Sequence, residues 1–279
     1  MKTITEKTVK EFEIYLYEEE KSSNTIEKYM RDIRYFRDWL DGSEFDKSVV
    51  IDYKKVLCQQ YAPKSVNSIL SSLNALFKFM KWYDLKIKTL KIQRQIFSDK
   101  EKELTKSEYE RLLTAAKDSK NERLYFLMQT LGSTGLRISE LKYVTCEAIR
   151  KGQATINCKG KIRQVFLPSQ LCKMLKAYVK KRKIKKGPVF ISKNGKPLNR
   201  SSVWKMLKGL CASADVKKSK VFPHNFRHLF AKTFYSLRKD IVRLADILGH
   251  SSIETTRIYT IESGEIHKMQ LEKLGLLIR

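Results

Sequence analysis

The chain has 279 residues, 42% of them hydrophobic, an ordinary fraction for a globular protein of one large domain or two modest ones. No apolar run approaches the roughly 18–20 residues of a membrane span. Met1 to Lys10 is polar and charged, so no signal peptide is expected, and a cytoplasmic location follows. Lys and Arg total 57 against 30 Asp and Glu, a net charge of +27. Residues 1–100 carry 19 basic and 15 acidic side chains, whereas residues 101–279 carry 38 and 15, a net of +23. A basic surface of this size attracts a polyanion through counterion release. DNA is the obvious candidate; RNA or an anionic membrane surface would also fit, and charge alone does not choose.

In chain order, residues 1–83 read as four helices. Val9, Phe12 and Leu16 form the apolar stripe of the first. Ile26, Tyr29, Met30, Ile33, Phe36 and Leu40 repeat at helical spacing on the second, with Asn24 as its N-cap. Val50, Tyr53, Val56 and Leu57 mark the third. Val66, Ile69, Leu70, Leu73, Phe77 and Met80 mark the fourth, entered through Pro63. These stripes predict a small helical bundle over residues 1–85. Residues 86–102 lack a sustained period and read as a linker. Thr105 and Glu108 then have the spacing of a reciprocal capping box. Ala154 to Cys158 and Arg163 to Leu167 are short β-prone runs joined through Lys159, Gly160 and Lys161, a hairpin with a lysine-rich turn. Val189 to Ile191 is expected to add a third strand. From Ser169 a helix turns Leu171, Met174, Leu175, Tyr178 and Val179 inward and its lysines outward. The fold class expected is mainly α with a small antiparallel β element.

The five cysteines (Cys58, Cys146, Cys158, Cys172, Cys211) are scattered, with no CxxC pair. Their number and spacing suit neither a disulfide framework nor a zinc site, so no metal and no cofactor are expected.

Four local patterns in the second part carry chemistry. Thr134-Gly135-Leu136-Arg137-Ile138-Ser139-Glu140-Leu141 allows a turn at Gly135, then sets Arg137 and Glu140 three apart on one helical face. Read alone, that is a surface salt bridge. Lys159 and Lys161 on a tight turn are, read alone, solvated charges. His224-Asn225-Phe226-Arg227-His228 aligns His224 with Arg227; a metal site would need carboxylate or cysteine partners that the segment lacks. Leu248-Gly249-His250-Ser251-Ser252-Ile253-Glu254 ends one helix at Gly249, starts another through a Ser251–Glu254 capping box, and leads to Tyr259.

Taken together and in this order, Arg137, the hairpin lysine, His224 with Arg227, His250 and Tyr259 resemble the catalytic set of the tyrosine recombinase (phage integrase) family. The resemblance is close over residues 105–260 and extends less specifically to the N-terminal bundle. It implies a four-helix core-binding domain over 1–85, a linker over 86–102 and a mixed α/β catalytic domain over 103–279 with a C-terminal helix. Arg137 and Arg227 would clamp the scissile phosphate, staying charged and offering paired hydrogen bonds to its oxygens. Tyr259 would be the nucleophile, His224 its base, and His250 a further phosphate partner. The hairpin turn is a residue shorter than in close family members. Lys159 therefore aligns best as the proton donor to the leaving 5′-oxygen, with Lys161 in reserve. Glu140, an acceptor only, would support His224 or Arg137.

The expected partner is double-stranded DNA carrying core recombination sites, bound by a homotetramer whose protomers are monomers in solution, with no membrane and no ATP. The tail from Glu262, with Ile266, Met269, Leu271 and Leu274, would pack on its own protomer or, as the resemblance implies, on a neighbour. Two other functions use the same residues. A type IB topoisomerase-like enzyme would relax DNA as a monomer. A catalytically silent accessory protein would only bind it, but it would have lost an Arg, His or Tyr that this sequence keeps.

Overall fold

The computed structural model describes residues 2–92, 100–158, 161–192, 194–260, 268–269 and 271–274, with the backbone alone at Lys100, Cys158 and Lys161. The chain folds as two compact units, Met1–Arg94 and Gln95–Arg279.

The first unit is built from α1 (Glu6–Glu18), α2 (Ser23–Leu40), α3 (Lys47–Gln60) and α4 (Pro63–Phe79). Most of the predicted stripe residues are its core: Val9, Phe12, Leu16, Met30, Ile33, Phe36, Leu40, Val50, Tyr53, Leu57, Val66, Leu70, Leu73 and Phe77 are buried in one cluster, Ile26, Tyr29, Ile69 and Met80 pack half-buried against it, and Val56 stays outside it. Asn24 does not cap α2. The helix begins a residue before it, with Ser22 in the extended conformation at the cap position. Asp46 caps α3 by accepting from the Ser48 and Val49 amides. One carboxylate is buried in the bundle: Asp32 takes hydrogen bonds from Ser72 (2.8 Å) and Lys28 (2.9 Å), which removes the cost of an unpaired internal charge. The segment after α4 stays on this unit. Asn74 exchanges two hydrogen bonds with the Ile87 backbone, and Asn67 does the same with Leu90.

The second unit carries α5 (Lys106–Asp118), α6 (Glu122–Thr134), a 3₁₀ turn (Ile138–Tyr143), α7 (Cys146–Lys151), β1 (Gln153–Cys158), β2 (Lys161–Phe166), α8 (Ser169–Lys181), α9 (Arg200–Gly209), α10 (Pro223–Arg238), α11 (Ile241–Leu248), α12 (Ile253–Thr256) and a last 3₁₀ turn (Arg257–Tyr259). The capping box at Thr105 and Glu108 is present in both directions. Helix α6 runs through the core, with Leu124, Leu127, Met128 and Leu131 buried, and packs against α5 and α10.

The β element is a two-stranded antiparallel sheet in which Cys158 faces Lys161, so Lys161 opens β2 and does not belong to the turn. Val189 to Ile191 adds no strand to it. Val189 instead donates to the Val144 carbonyl and Leu198 to that of Phe190, while isolated bridges tie Thr145 to Pro188 and Ile191 to Pro197. Pro188 and Pro197 have no amide hydrogen, which limits the ladder on either side. Cys146, Cys172 and Cys211 are buried free thiols and Cys58 is exposed. Met269, Leu271 and Leu274 of the tail are exposed, while Glu262 and Ile266 lie outside the described residues. No helix among the described residues is long and apolar enough to cross a membrane.

Candidate active site

Arg137 owes its place to Gly135. Helix α6 ends there in the left-handed conformation (φ 64°), and a Cβ would lie 2.5 Å from the Phe230 ring, so the turn needs glycine for both backbone and space. Arg137 follows, just before the 3₁₀ turn. Its amide donates to Glu140 Oε2 at 2.8 Å and its guanidinium to Oε1 at 3.1 Å. Arg137 keeps 42% of its side chain exposed, whereas Glu140 keeps 3%. Of the two partners expected for Glu140, then, it holds the arginine. A second cation joins it: Arg163 of β2 donates to Glu140 Oε2 at 2.8 Å and to the Ile247 carbonyl at 2.6 Å. The Arg163 stem lies against Gly249, where a Cβ would come within 2.4 Å of it.

Arg227 is the largest side chain among the fully buried ones, at 1% exposure. Its Nη1 donates to the Gly135 carbonyl (2.6 Å) and its Nη2 to the Leu248 carbonyl (2.7 Å), fastening α10 to the ends of both α6 and α11. Burial, and then the charge of Arg137, lower its pKa to about 10, with the Tyr259 phenol and Glu140 acting in the opposite sense. It remains a cation near neutrality, with the phenol oxygen among its neighbours.

Gly249 closes α11 in the left-handed conformation and turns the chain to His250. The next helix is capped by Ser252, one residue later than expected, whose hydroxyl accepts from the Glu254 amide at 3.2 Å. His250 Nε2 lies 2.9 Å from Arg227 Nη2, and its Nδ1 lies 2.8 Å from Thr256 Oγ1. Tyr259, 2% exposed, stacks on His250 with ring centroids 6.0 Å apart and meets His228 edge-on at 4.6 Å. His228 in turn meets His224 at 4.7 Å. His224 itself is exposed on the wall of a cleft of about 380 Å³, lined also by Arg137, Ser139, Arg200, Trp204 and Arg227. Partial enclosure and the charges of Arg227, Arg137 and Arg200 lower its pKa, favouring the neutral imidazole.

Arg137, Glu140, His224, Arg227, His250 and Tyr259 are thus brought together. Lys159 lies outside the described residues. The Lys161 backbone opens β2, and its side chain is not among those described. Sequence reasoning missed Arg163, Thr256, Arg200 and Trp204. A usable signal existed only for Arg163: it heads an alternate row with Val165 and Leu167, which are 4% and 5% exposed, and a charge in an inward row requires a partner. Among the described residues no three His, Cys, Asp or Glu side chains form a group able to hold a metal ion.

Two of these histidines should set the acid stability of the protein. Burial first, then His224 and nearby cations for His228 and the surrounding arginines for His250, hold both at about 4, and His228 Nδ1 is buried without a hydrogen-bond partner. In the unfolded chain they titrate near 6.5, so between these values the unfolded state binds more protons. Their contribution is therefore complete above pH 6.5 and is lost as pH falls towards 4. By pH 5 each should have removed roughly 2 kcal/mol. Urea midpoints measured at pH 7 and pH 5 should show the decline, and it should be shallower in His228→Phe protein.

Comparison with known proteins gives this geometry a family. Residues 102–265 match the phage integrase family, and residues 9–83 match the phage integrase N-terminal SAM-like domain. The chain is 31% identical to tyrosine recombinase XerA of Pyrococcus furiosus, over 99% of this chain and 96% of that protein. It is 27% identical to tyrosine recombinase XerD of Staphylococcus aureus, over 96% of this chain and 97% of that one. Among solved structures, a λ integrase (75–356) dimer bound to a COC′ core site has a TM-score of 0.76 at 16% identity, covering 93% of this chain and 96% of that one. XerH bound to a palindromic difH substrate has a TM-score of 0.72 at 21% identity, covering 89% and 78%. The ordered motifs, the helical fold with its two-stranded sheet and these matches agree, and the chain belongs to the phage integrase family of tyrosine recombinases.

Proposed function

We propose that this site-specific DNA recombinase cuts duplex DNA by attack of Tyr259 on a backbone phosphate. The attack leaves the 3′ end joined to the protein as a phosphotyrosine, and the reverse reaction rejoins the strand. One observation carries the reading: Tyr259 lies between His228 and His250 and beside the Arg227 guanidinium, on the unit whose cleft also holds Arg137 and His224.

Arg137 and Arg227 stabilise the charge that builds on the phosphate oxygens. His224, neutral at working pH, takes the phenol proton as the tyrosine oxygen bonds to phosphorus. The P–O bond to the 5′-oxygen breaks, and that oxygen leaves as a hydroxyl with a proton from Lys159, or from Lys161 in its place. His250 contributes a further hydrogen bond to the phosphate. Glu140 orients Arg137. One phosphate ester replaces another at each step, so the broken bond's energy is kept for rejoining.

Residues 1–85 act as the core-binding domain, 86–102 as the linker and 103–279 as the catalytic domain, working in the cytoplasm on core recombination sites. The charge of +23 on residues 101–279 supplies the attraction to the phosphate backbone. The assembly on DNA is a homotetramer of protomers that are monomers in solution. The exposed Met269, Leu271 and Leu274 fit a tail that docks on a neighbour. Deleting residues 263–279 is expected to abolish cooperative assembly in gel-shift titrations while single protomers still bind. Unchanged cooperativity would assign the tail to its own protomer.

The function is tested with nicked duplexes, in which the cut strand's short end diffuses away and traps the covalent adduct. Wild-type protein should give an SDS-resistant complex at a defined sequence. A supercoiled plasmid without such a site should be relaxed poorly. Efficient relaxation by monomer would identify a topoisomerase, and binding without any adduct would identify an accessory protein.

A further inference from the structure

Thr256 is wholly buried, yet its hydroxyl is spent on one partner in the site, His250 Nδ1 at 2.8 Å. The other ring nitrogen of His250 faces Arg227 Nη2 at 2.9 Å. A guanidinium has N–H groups and no acceptor, so Nε2 must accept that bond. A neutral ring then carries its proton on Nδ1, and Thr256 Oγ1 accepts it. The doubly protonated ring would aim an N–H at a cation. The charged or titratable groups around the ring are Arg227 and His224 of α10, Arg137 beyond α6 and Arg163 of β2, and together with burial they hold it at about 4. The Tyr259 ring lies nearly parallel to it, with centroids 6.0 Å apart.

This arrangement conflicts with the task of touching a phosphate. A phosphate oxygen is an acceptor, and an Nε2 that is itself accepting has nothing to donate. A hydroxyl is the group that resolves the conflict, because it can donate or accept from the same position. We propose that Thr256 is a positioning residue that lets His250 exchange its hydrogen-bonding role without moving. In the DNA-free site the proton is on Nδ1, given to Thr256, and Nε2 accepts from Arg227. With DNA bound the proton is on Nε2, given to a phosphate oxygen, and the Thr256 hydroxyl turns to donate to Nδ1. The ring loses one proton to solvent and gains one from it, so its charge does not change. Arg227 Nη2, released from the histidine, turns to the same phosphate. The second half of this exchange rests on the phosphotyrosine reading; the first half does not.

The two halves are separable by experiment. Protein labelled with ¹⁵N-histidine reports which ring nitrogen is protonated, with His250 identified by its loss in His250→Gln protein. At pH 7 the free protein should show His250 protonated on Nδ1. The Tyr259→Phe protein bound to a nicked duplex of the site it selects should show it protonated on Nε2. Free protein with the proton on Nε2, or with both nitrogens protonated, overturns the proposal. So does a complex that keeps the Nδ1 proton while wild type forms covalent adducts on the same duplex. If wild type forms no adduct at all, the phosphotyrosine reading fails, while an Nδ1 proton in the free protein still upholds the resting half. In kinetics, Thr256→Val should slow single-turnover adduct formation on the order of tenfold, and Thr256→Ser should restore it, since only serine keeps the hydroxyl. Equal rates in the two variants would also overturn it, and should the valine variant not fold, the spectra of wild type decide.

Discussion

Tyr259→Phe protein is expected to bind its DNA site with unchanged affinity and to form no SDS-resistant adduct, a loss of at least about 10⁴-fold in cleavage. The change removes one oxygen and keeps the ring. The ring is what packs: it meets His228 at 4.6 Å and His250 at 6.0 Å, and it is 2% exposed. Phenylalanine preserves those contacts, so thermal stability should shift by no more than about 1 kcal/mol. Any reduction in adduct then reports chemistry and not folding. A covalent product from the phenylalanine variant, mapped by peptide analysis to another residue, would remove Tyr259 from the mechanism.

Arg227→Lys should be damaging twice over. Lysine carries the charge but not the fork, so it cannot reach the Gly135 and Leu248 carbonyls together as the guanidinium does at 2.6 and 2.7 Å. A buried carbonyl left without a donor costs about 1–3 kcal/mol, and a lower melting temperature should follow. The paired hydrogen bonds to phosphate are lost as well, which should reduce cleavage by roughly 10³-fold. Arg137→Lys separates the two effects. Arg137 is 42% exposed, and its guanidinium serves one carboxylate and, at 3.5 Å, the Leu248 carbonyl that Arg227 already binds, so its replacement should lower cleavage with little change in melting. If Arg227→Lys melted like wild type and cleaved like wild type, the anchoring and clamping roles would both be wrong.

The helical periodicity of the sequence was a reliable guide wherever burial alone decides structure. Phe12, Phe36 and Leu70 lie in the bundle core because a 3.6-residue repeat admits one inward face. It was less reliable at ends, where several residues compete for one cap: Ser22 took the position expected for Asn24, and Ser252 that expected for Ser251. Val189 to Ile191 has the composition of a strand, but the Val189 amide donates to the Val144 carbonyl and the Phe190 carbonyl accepts from Leu198, so the segment pairs with loops instead of a sheet edge. Arg137, Glu140, His224, Arg227, His250 and Tyr259 were legible as an ordered set, each carried by its motif. Their mutual contacts were not. In β2, Ile162 and Phe166 are 71% and 75% exposed, while Arg163, in the buried row with Val165 and Leu167, points to Glu140. Thr256 gave no sign in the sequence, because a threonine acts through whatever the fold sets opposite it.

The double anchoring of Arg227 has a bearing on how this sequence can drift. One guanidinium is shared by the ends of α6 and α11, and Arg163 repeats the pattern by joining Glu140 to Ile247. Substitutions at such shared points should be strongly non-additive, since the first breach already releases the segments that a second would disturb. Lineages of this chain should therefore hold these positions as a block or lose them as one, while the helical bundle ahead of them is free to change one residue at a time.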